Sequence, residues 1–180
     1  LVTGFTTNPS LMKKAGITSY IGFAKDVLKE ITDYPVSFEV FADDLEGMEQ
    51  EARRIAALGD NVYVKIPVTN SKGESTAPLI DRLTGEGIKV NVTAIFTVEQ
   101  VREVVDALKS GTPAVVSVFA GRIADTGVDP MPIMQEALAI CRQKEGVELL
   151  WASPRETFNI YQADSLGVDI ITCTSDLIKK

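Results

Sequence analysis

The segments that decide the fold class are VSFEV (residues 36–40), VYVKI (62–66), VNVT (90–93) and VVSV (115–118). Each is a largely apolar run that carries a polar residue at the same depth, and these residues are 26 apart each time: Glu39, Lys65, Asn91 and Ser117. A strand–helix unit of constant length would place these four residues at equivalent points of successive strands. Because side chains alternate along a strand, the polar residues share one face and their apolar neighbours point the other way.

A parallel sheet is either open or closed into a barrel, and the polar face distinguishes the two forms. A strand inside an open, doubly wound sheet is covered by helices on both faces and is therefore apolar throughout. Here one face is polar, which indicates an inner wall lined by a site, while the other face is apolar and suits packing under helices. We therefore predict an α/β fold, a (β/α)8 TIM barrel whose site lies at the carboxyl ends of its strands.

The rest of the chain continues the same alternation. Seven strand-like segments are predicted: 1–7, 35–41, 61–67, 89–95, 114–119, 148–152 and 169–174. Helical periodicity lies between them, for example over 45–58, 98–110 and 130–144. We expect a single barrel domain over residues 1–180 that contains strands 2 to 8, with the first strand and the last helix missing from this chain.

Composition limits the partners. The 180 residues are 45% hydrophobic and 24% charged, so the chain can bury a sizeable core. The formal net charge of -7 argues against nucleic acid as a partner, since phosphate backbones attract basic surfaces. No apolar run approaches the roughly 18 residues that a membrane span needs, so no membrane partner is expected. The oligomeric state is left open, with a homo-oligomer among the alternatives.

The absence of histidine narrows the chemistry. No Ser-His or Cys-His pair can form, and Cys141 and Cys173 alone cannot supply a zinc cluster. We expect no metal and no cofactor, so acid–base chemistry must use carboxylates, lysine, hydroxyls or water. Two lone cysteines are typical of a reducing compartment, and we expect a cytoplasmic location.

Lys65 is the residue that most directly predicts an activity. Burial disfavours the charged form of an inward lysine, and a neutral amine is the nucleophile that forms a Schiff base with a ketone. Glu39, at the same depth, could shuttle protons, and Thr93, on the same face as Asn91, could help to hold a water. The alternative is a structural Lys65–Glu39 ion pair, with Thr93 bonded to the backbone, and the sequence leaves both interpretations open.

Polar side chains near the same strand ends suggest a ligand with hydroxyl groups. Asn8, Asn91 and Ser117 could hydrogen-bond a bound sugar. Each also has a structural interpretation. Asn8 precedes Pro9 as a helix cap would, and the other two could fill polar layers of a barrel.

Two arginines follow late strands, where barrels often bind phosphate. Arg122 lies in FAGR (119–122) and Arg155 in ASPR (152–155). The spacing of Ser153 and Glu156 also predicts a capping box at a helix start, and exposed amides at such a start attract phosphate as well. A sugar phosphate is therefore the predicted small-molecule partner.

Several segments resemble motifs of the transaldolase family. GFTTNPSL (4–11) is similar to its strand–turn signature, and VKIP (64–67) is similar to the strand that carries its Schiff-base lysine. Further segments match in the same order: VSFEV (36–40), NVT (91–93), SVFAGRI (117–123) and ASPR (152–155). The resemblance covers essentially the whole chain.

The resemblance implies transfer of a dihydroxyacetone unit from a ketose phosphate, such as sedoheptulose 7-phosphate or fructose 6-phosphate, to an aldose phosphate. Lys65 would form an imine with C2 of the ketose, and Glu39 and Thr93 would manage the water made and used in that step. The remaining substrate-binding residues would be Asn8, Asn91 and Ser117 for the hydroxyls and Arg122, Ser153 and Arg155 for the phosphate.

The sequence departs from the family at one point. In the family, an aspartate on the first barrel strand takes the proton from the C4 hydroxyl, and no residue is assigned to that role here. A catalytically incomplete barrel that only binds sugar phosphate therefore stays open. A fructose-6-phosphate aldolase is the nearest alternative activity. That subgroup is expected to have glutamine in place of Glu39 and a tyrosine near Phe119, so Glu39 favours transfer. The lack of histidine and of a carboxylate cluster argues against a metal-dependent barrel.

Overall fold

Seven parallel strands form one sheet in the computed structural model, which describes residues 2–14 and 16–180. The strand order follows the chain: β1 (Phe5–Thr6), β2 (Val36–Glu39), β3 (Val62–Pro67), β4 (Val90–Ile95), β5 (Ala114–Val118), β6 (Val147–Trp151) and β7 (Ile170–Ile171). Every sequential pair is parallel. All seven predicted strands are therefore confirmed, although residue 1 of the first lies outside the described residues. The order and direction are those of a partial (β/α)8 barrel.

Helices connect the strands. Within the described ranges they are α1 (Pro9–Lys14), α2 (Tyr20–Glu30), α3 (Leu45–Ala56), α4 (Ala77–Gly85), α5 (Val98–Ala107), α6 (Ala120–Asp125), α7 (Met131–Cys141), α8 (Phe158–Leu166) and α9 (Ser175–Ile178). The short α9, a helix of four residues, follows β7. None of the helices in residues 2–14 and 16–180 is long and apolar enough to cross a membrane.

Local sequence explains where the helices begin. The Asp44 side chain accepts a hydrogen bond from the Gly47 N–H at the start of α3. At α5, the Thr97 hydroxyl accepts from the Gln100 N–H, and the Gln100 side chain accepts from the Thr97 N–H in return. This reciprocal pair is a capping box, and it fixes how the chain turns from β4 into α5.

The register of the strands tests the spacing of 26 residues. Glu39 is paired with Lys65 and Lys65 with Asn91, as a constant unit length requires. Asn91, however, is paired with Val115 rather than with Ser117, and the register of β4 and β5 shifts between Val92 and Ile95. Ser117 therefore lies two residues nearer the carboxyl end of the sheet than the spacing predicts.

The two faces of the sheet differ as predicted, but not uniformly. The outer face packs under the helices through apolar residues that are completely buried, among them Phe38, Val64, Val92 and Val116. The inner face carries polar residues on β2 to β5, from Glu39 to Ser117. A small apolar cluster lies beside them: Val115, Leu150 and Ala152, with Tyr63, Phe119 and Ile170 against them. The inner face is thus polar only in part.

Candidate active site

Lys65 and Glu39 face each other on neighbouring strands. Lys65 Nζ lies 3.2 Å from Glu39 Oε2, and the two side chains are only 12% and 22% exposed. Direct register pairing between β2 and β3 places them side by side on the inner face. An amine and a carboxylate at this distance can form an ion pair or exchange a proton, so the contact provides the geometry that both interpretations of Lys65 require.

Tyr20 holds the strand end that carries Glu39. Its hydroxyl accepts a hydrogen bond from the Glu39 backbone N–H, and its ring packs edge-on against Phe41 with the ring centroids 4.6 Å apart. Burial is the main cause that raises the pKa of Tyr20 to about 12, so the phenol is neutral near pH 7. Sequence reasoning missed this residue, because a tyrosine at the start of a helix has the pattern of ordinary core packing.

A chain of buried hydrogen bonds crosses the inner face beside Lys65. Ser117 Oγ donates to Asn91 Oδ1 at 2.7 Å, and Asn91 Nδ2 donates to Ser37 Oγ at 3.0 Å. The structure thus brings the predicted residues Asn91 and Ser117 into contact. Ser37 was missed, although it lies two residues before Glu39 and the alternation of the strand places it on the same face. The chain fixes the orientation of the Asn91 amide.

Thr93 is buried on the same wall, and its hydroxyl has no hydrogen-bond partner among the described residues. Buried hydroxyls are normally satisfied by protein or by water, so this oxygen is suited to bind a water or a ligand hydroxyl. No hydrogen bond within the described ranges joins Thr93 to Lys65 or Glu39. The predicted alternative, a bond from Thr93 to the backbone, is not present there either. The next residue, Ala94, has a φ of 60° at the shift of register.

Asn8 lies in the connection between β1 and α1. Its carbonyl accepts from the Met12 N–H, and Pro9 is the first residue of α1, as the sequence predicts. The preceding Thr7 donates its backbone N–H and its hydroxyl to the Ser37 carbonyl, at 3.0 and 2.9 Å. These bonds attach the segment before Asn8 to the strand that carries Glu39.

Ser153 follows β6 and has an unusual backbone conformation. Its φ is 62°, a left-handed value that is costly for a residue with a side chain. Gly121 passes so close that a Cβ on it would lie 1.6 Å from the Ser153 carbonyl oxygen. The predicted capping box of Ser153 and Glu156 is wrong. The helix α8 begins only at Phe158, and the Asn159 side chain accepts from the Arg155 and Glu156 N–H groups instead.

The two predicted phosphate-binding arginines lie at the carboxyl ends of neighbouring strands, Arg122 in α6 after β5 and Arg155 after β6. The Arg122 guanidinium lies over the Phe119 ring, 5.3 Å from its centroid. Arg155 Nε lies 3.1 and 3.0 Å from the two carboxylate oxygens of Asp125. The hydrogen bonds from Arg155 hold the pKa of Asp125 below its usual range. Asp125 was missed, because its partner is 30 residues away and no spacing connects them.

The described residues contain no group of three or more histidine, cysteine or acidic side chains that could hold a metal ion. What the inner face and the strand ends offer is an amine beside a carboxylate, a row of hydroxyls and amides, and two arginines. That set is suited to a small phosphorylated molecule with a carbonyl and several hydroxyls.

Comparisons with known proteins point the same way. A family model described as Transaldolase/Fructose-6-phosphate aldolase matches residues 1–180. A probable transaldolase of Methanococcus maripaludis is 40% identical, with 100% of this chain and 80% of the relative covered. Probable transaldolases of Thermoanaerobacter sp. and Nitrosopumilus maritimus are 38% and 37% identical and are covered over 76% and 78% of their lengths, by 96% and 100% of this chain.

A solved structure of a mandelate oxidase mutant with a monooxide FMN adduct shares the fold alone. Its TM-score is 0.58 at 17% identity, over 83% of this chain and 50% of that one. The family model and the relatives, by contrast, match along the whole sequence. On this evidence, the chain belongs to the transaldolase/fructose-6-phosphate aldolase family.

Proposed function

We propose that this protein is a transaldolase that moves a dihydroxyacetone unit from a ketose phosphate, sedoheptulose 7-phosphate or fructose 6-phosphate, to an aldose phosphate. The observation that carries the proposal is the Lys65–Glu39 contact of 3.2 Å on the inner face, at the end of the sheet where Arg122 and Arg155 lie. An amine beside a carboxylate supplies a nucleophile and a proton carrier, and guanidinium groups at the same ends of the strands suit a phosphate.

Lys65 is proposed as the nucleophile. Its neutral amine attacks C2 of the ketose and forms a carbinolamine, which loses water to give an imine. Glu39 donates and accepts the protons of these steps through a water. The Thr93 hydroxyl, buried and without a described partner, is suited to hold that water. The role of Thr93 thus follows from an unsatisfied hydrogen bond rather than from a direct contact with Lys65.

The protonated imine then drives cleavage of the C3–C4 bond. The electron pair of that bond moves into the imine and leaves an enamine on Lys65, while the C4 hydroxyl loses its proton and becomes the carbonyl of the released aldose. The enamine carbon attacks the aldehyde of the acceptor, and water releases the new ketose. None of the described side chains is assigned to the removal of the C4 proton.

The substrate-binding residues divide by the group that they recognise. Asn8, Asn91 and Ser117 are proposed to hold the dihydroxyacetone hydroxyls, and the hydrogen bond from Ser117 already orients the Asn91 amide. Arg122, Arg155 and Ser153 are proposed to hold the phosphate, because guanidinium groups match its oxygens as a planar fork. No metal or cofactor is required in this scheme. The two free cysteines suit the cytoplasmic location that we propose.

A fructose-6-phosphate aldolase is the second candidate, because the matching family model includes that activity in its description. The enamine of an aldolase is protonated and released as free dihydroxyacetone, whereas a transaldolase keeps it for the acceptor. Steady-state release of dihydroxyacetone with and without an aldose phosphate acceptor separates the two. Release at full rate without acceptor would replace the transferase proposal with the aldolase.

Borohydride trapping tests the Schiff base itself. The protein is incubated with fructose 6-phosphate, reduced and mapped by mass spectrometry, and we expect a reduced adduct on Lys65. Lys65→Met should abolish the adduct. Lys89→Met is the matched control and should keep the adduct. Lys89 lies just before β4, and its ammonium donates a hydrogen bond to the Asp60 carbonyl. An unlabelled Lys65 in a chain with normal circular dichroism would mean that the Lys65–Glu39 pair is structural.

A further inference from the structure

Asp125 binds one edge of the Arg155 guanidinium. Arg155 Nε donates to both carboxylate oxygens, at 3.1 and 3.0 Å, and Nη2 also donates to Oδ2. This is the side-on edge of the guanidinium, formed by Nε and Nη2. A guanidinium has five N–H donors in one plane, so a carboxylate on this edge leaves the other edge free to bind a second anion.

The opposite edge of Arg155 is available to a ligand. No described residue accepts a hydrogen bond from Nη1, and the Arg155 side chain is 47% exposed. The Nη1–Nη2 edge can therefore bind two oxygens of a phosphate while Asp125 stays in place. The carboxylate restricts rotation of a long side chain that is otherwise costly to order when a ligand binds.

Asp125 also connects the two segments that carry the arginines. It lies in α6, three residues after Arg122, and its charge acts on Arg122 as well as on Arg155. The same helix touches the turn after β6, where Gly121 packs on the Ser153 backbone. One carboxylate thus holds the guanidinium of the β6 segment against the helix that carries the guanidinium of the β5 segment.

We propose that Asp125 is a positioning residue for the phosphate group of the substrate: it holds Arg155 by the Nε–Nη2 edge so that the Nη1–Nη2 edge faces the phosphate together with Arg122. This rests on the proposed function for the identity of the substrate, but the effect on phosphate binding does not depend on Lys65. Asp125 does not touch the reacting carbons, so it acts on recognition of phosphorylated substrates and not on the bond-breaking step.

Steady-state kinetics with a phosphorylated ketose and its unphosphorylated counterpart tests the proposal. Because an exposed ion pair is a weak interaction, Asp125→Ala should raise the KM for fructose 6-phosphate about threefold to fivefold. It should leave kcat, and the KM for unphosphorylated fructose, unchanged. Asp125→Glu should restore part of the lost affinity, since it keeps a carboxylate. An equal change for both donors, or a lower KM for the phosphorylated one, would overturn the proposal; the latter would show that the carboxylate competes with phosphate.

A matched control comes from another exposed pair. Arg102 and Glu136 join α5 to α7 with side chains 54% and 51% exposed, close to the 47% and 50% of Arg155 and Asp125. Glu136→Ala removes a carboxylate of similar exposure away from the strand ends. Its KM for fructose 6-phosphate should equal that of the wild type. A rise as large as that of Asp125→Ala would show that the loss of any surface carboxylate raises this KM, and would overturn the proposal.

Titration with inorganic phosphate, followed by NMR of the backbone amides, separates this inference from the reaction. Asp125→Ala should weaken phosphate binding about threefold relative to the wild type, whether or not Lys65 forms an imine. If Lys65 forms no imine but phosphate binding still depends on Asp125, the proposed reaction fails and this inference stands. If the imine forms and phosphate binds Asp125→Ala as tightly as the wild type, the inference fails.

Discussion

Gly121 lies where the two arginine-bearing segments meet, so adding one methyl group there should have a large effect. A Cβ at this position would lie 1.6 Å from the Ser153 carbonyl oxygen and 2.7 Å from its carbon. Non-bonded heavy atoms are comfortable at about 3.5 Å or more, so α6 and the turn after β6 must separate by nearly 2 Å. Both contacts are with backbone atoms, and no rotation of a side chain can relieve them.

The cost follows from overpacking. Forcing extra volume into a well-packed site costs about 1–3 kcal/mol, while alanine is favoured over glycine inside a helix by up to about 1 kcal/mol. We expect Gly121→Ala to lower the free energy of unfolding by about 2 kcal/mol. It should also raise the KM for fructose 6-phosphate, because Arg122 and Arg155 move apart with the two segments.

Gly85→Ala provides the control. Gly85 ends α4, and its added Cβ would meet only carbon atoms of the flexible Lys109 side chain at 3.9 Å. The same substitution there should leave stability unchanged or raise it slightly. Equilibrium urea unfolding followed by circular dichroism measures both variants. A Gly121→Ala protein as stable as the wild type, with an unchanged KM, would refute the close packing of α6 on Ser153.

Three further outcomes are expected. Burial raises the pKa of Tyr20 to about 12, so the folded state keeps that proton more tightly than the unfolded state. The free energy of unfolding should therefore fall as the pH rises between about 10 and 12. Tyr20→Phe should lose this part of the pH dependence in urea titrations. Burial likewise raises the pKa of Cys141 to about 12, so the native protein at pH 8 should react with a thiol reagent at Cys173 first and at Cys141 only on unfolding. Asn91→Ala should cost about 2 kcal/mol in urea unfolding, because it leaves the buried hydroxyls of Ser37 and Ser117 without their shared partner.

Sequence patterns predict the parts of this protein that repeat. Strand–helix units of 26 residues from β2 to β4 bring residues 26 apart side by side, which is why the spacing alone pairs Glu39 with Lys65 correctly. Ser117 lies two residues from its predicted position because the β4–β5 unit is shorter: Val90 already pairs with Ala114, 24 residues on, before the register shift near Ala94. A repeat read from three strands cannot reveal that the next connection is two residues shorter.

Contacts between elements that are distant in the sequence were not predictable. Asp125 and Arg155 meet across 30 residues, and Tyr20 reaches the Glu39 backbone across 19. Neither separation matches a helix or strand period, so only the packing of the whole fold brings the partners together. The local rule that predicted a cap at Ser153 failed for the same reason: the passage of Gly121 dictates the backbone there, and the chain begins α8 further on.

Ala94 and Ser153 are the non-glycine residues with positive φ in the described part of the chain, and both lie at the carboxyl ends of strands. A conformation of this kind costs about 1–3 kcal/mol and persists only where surrounding packing imposes it. Ala94 directly follows Thr93, whose hydroxyl has no described partner, and Ser153 precedes the segment that carries Arg155. The strain therefore falls at one position near the end of β4 and one in the turn after β6, beside the proposed water-binding and phosphate-binding groups. Packing that fixes these two backbone segments keeps both groups oriented before a substrate arrives, so less ordering is needed on binding.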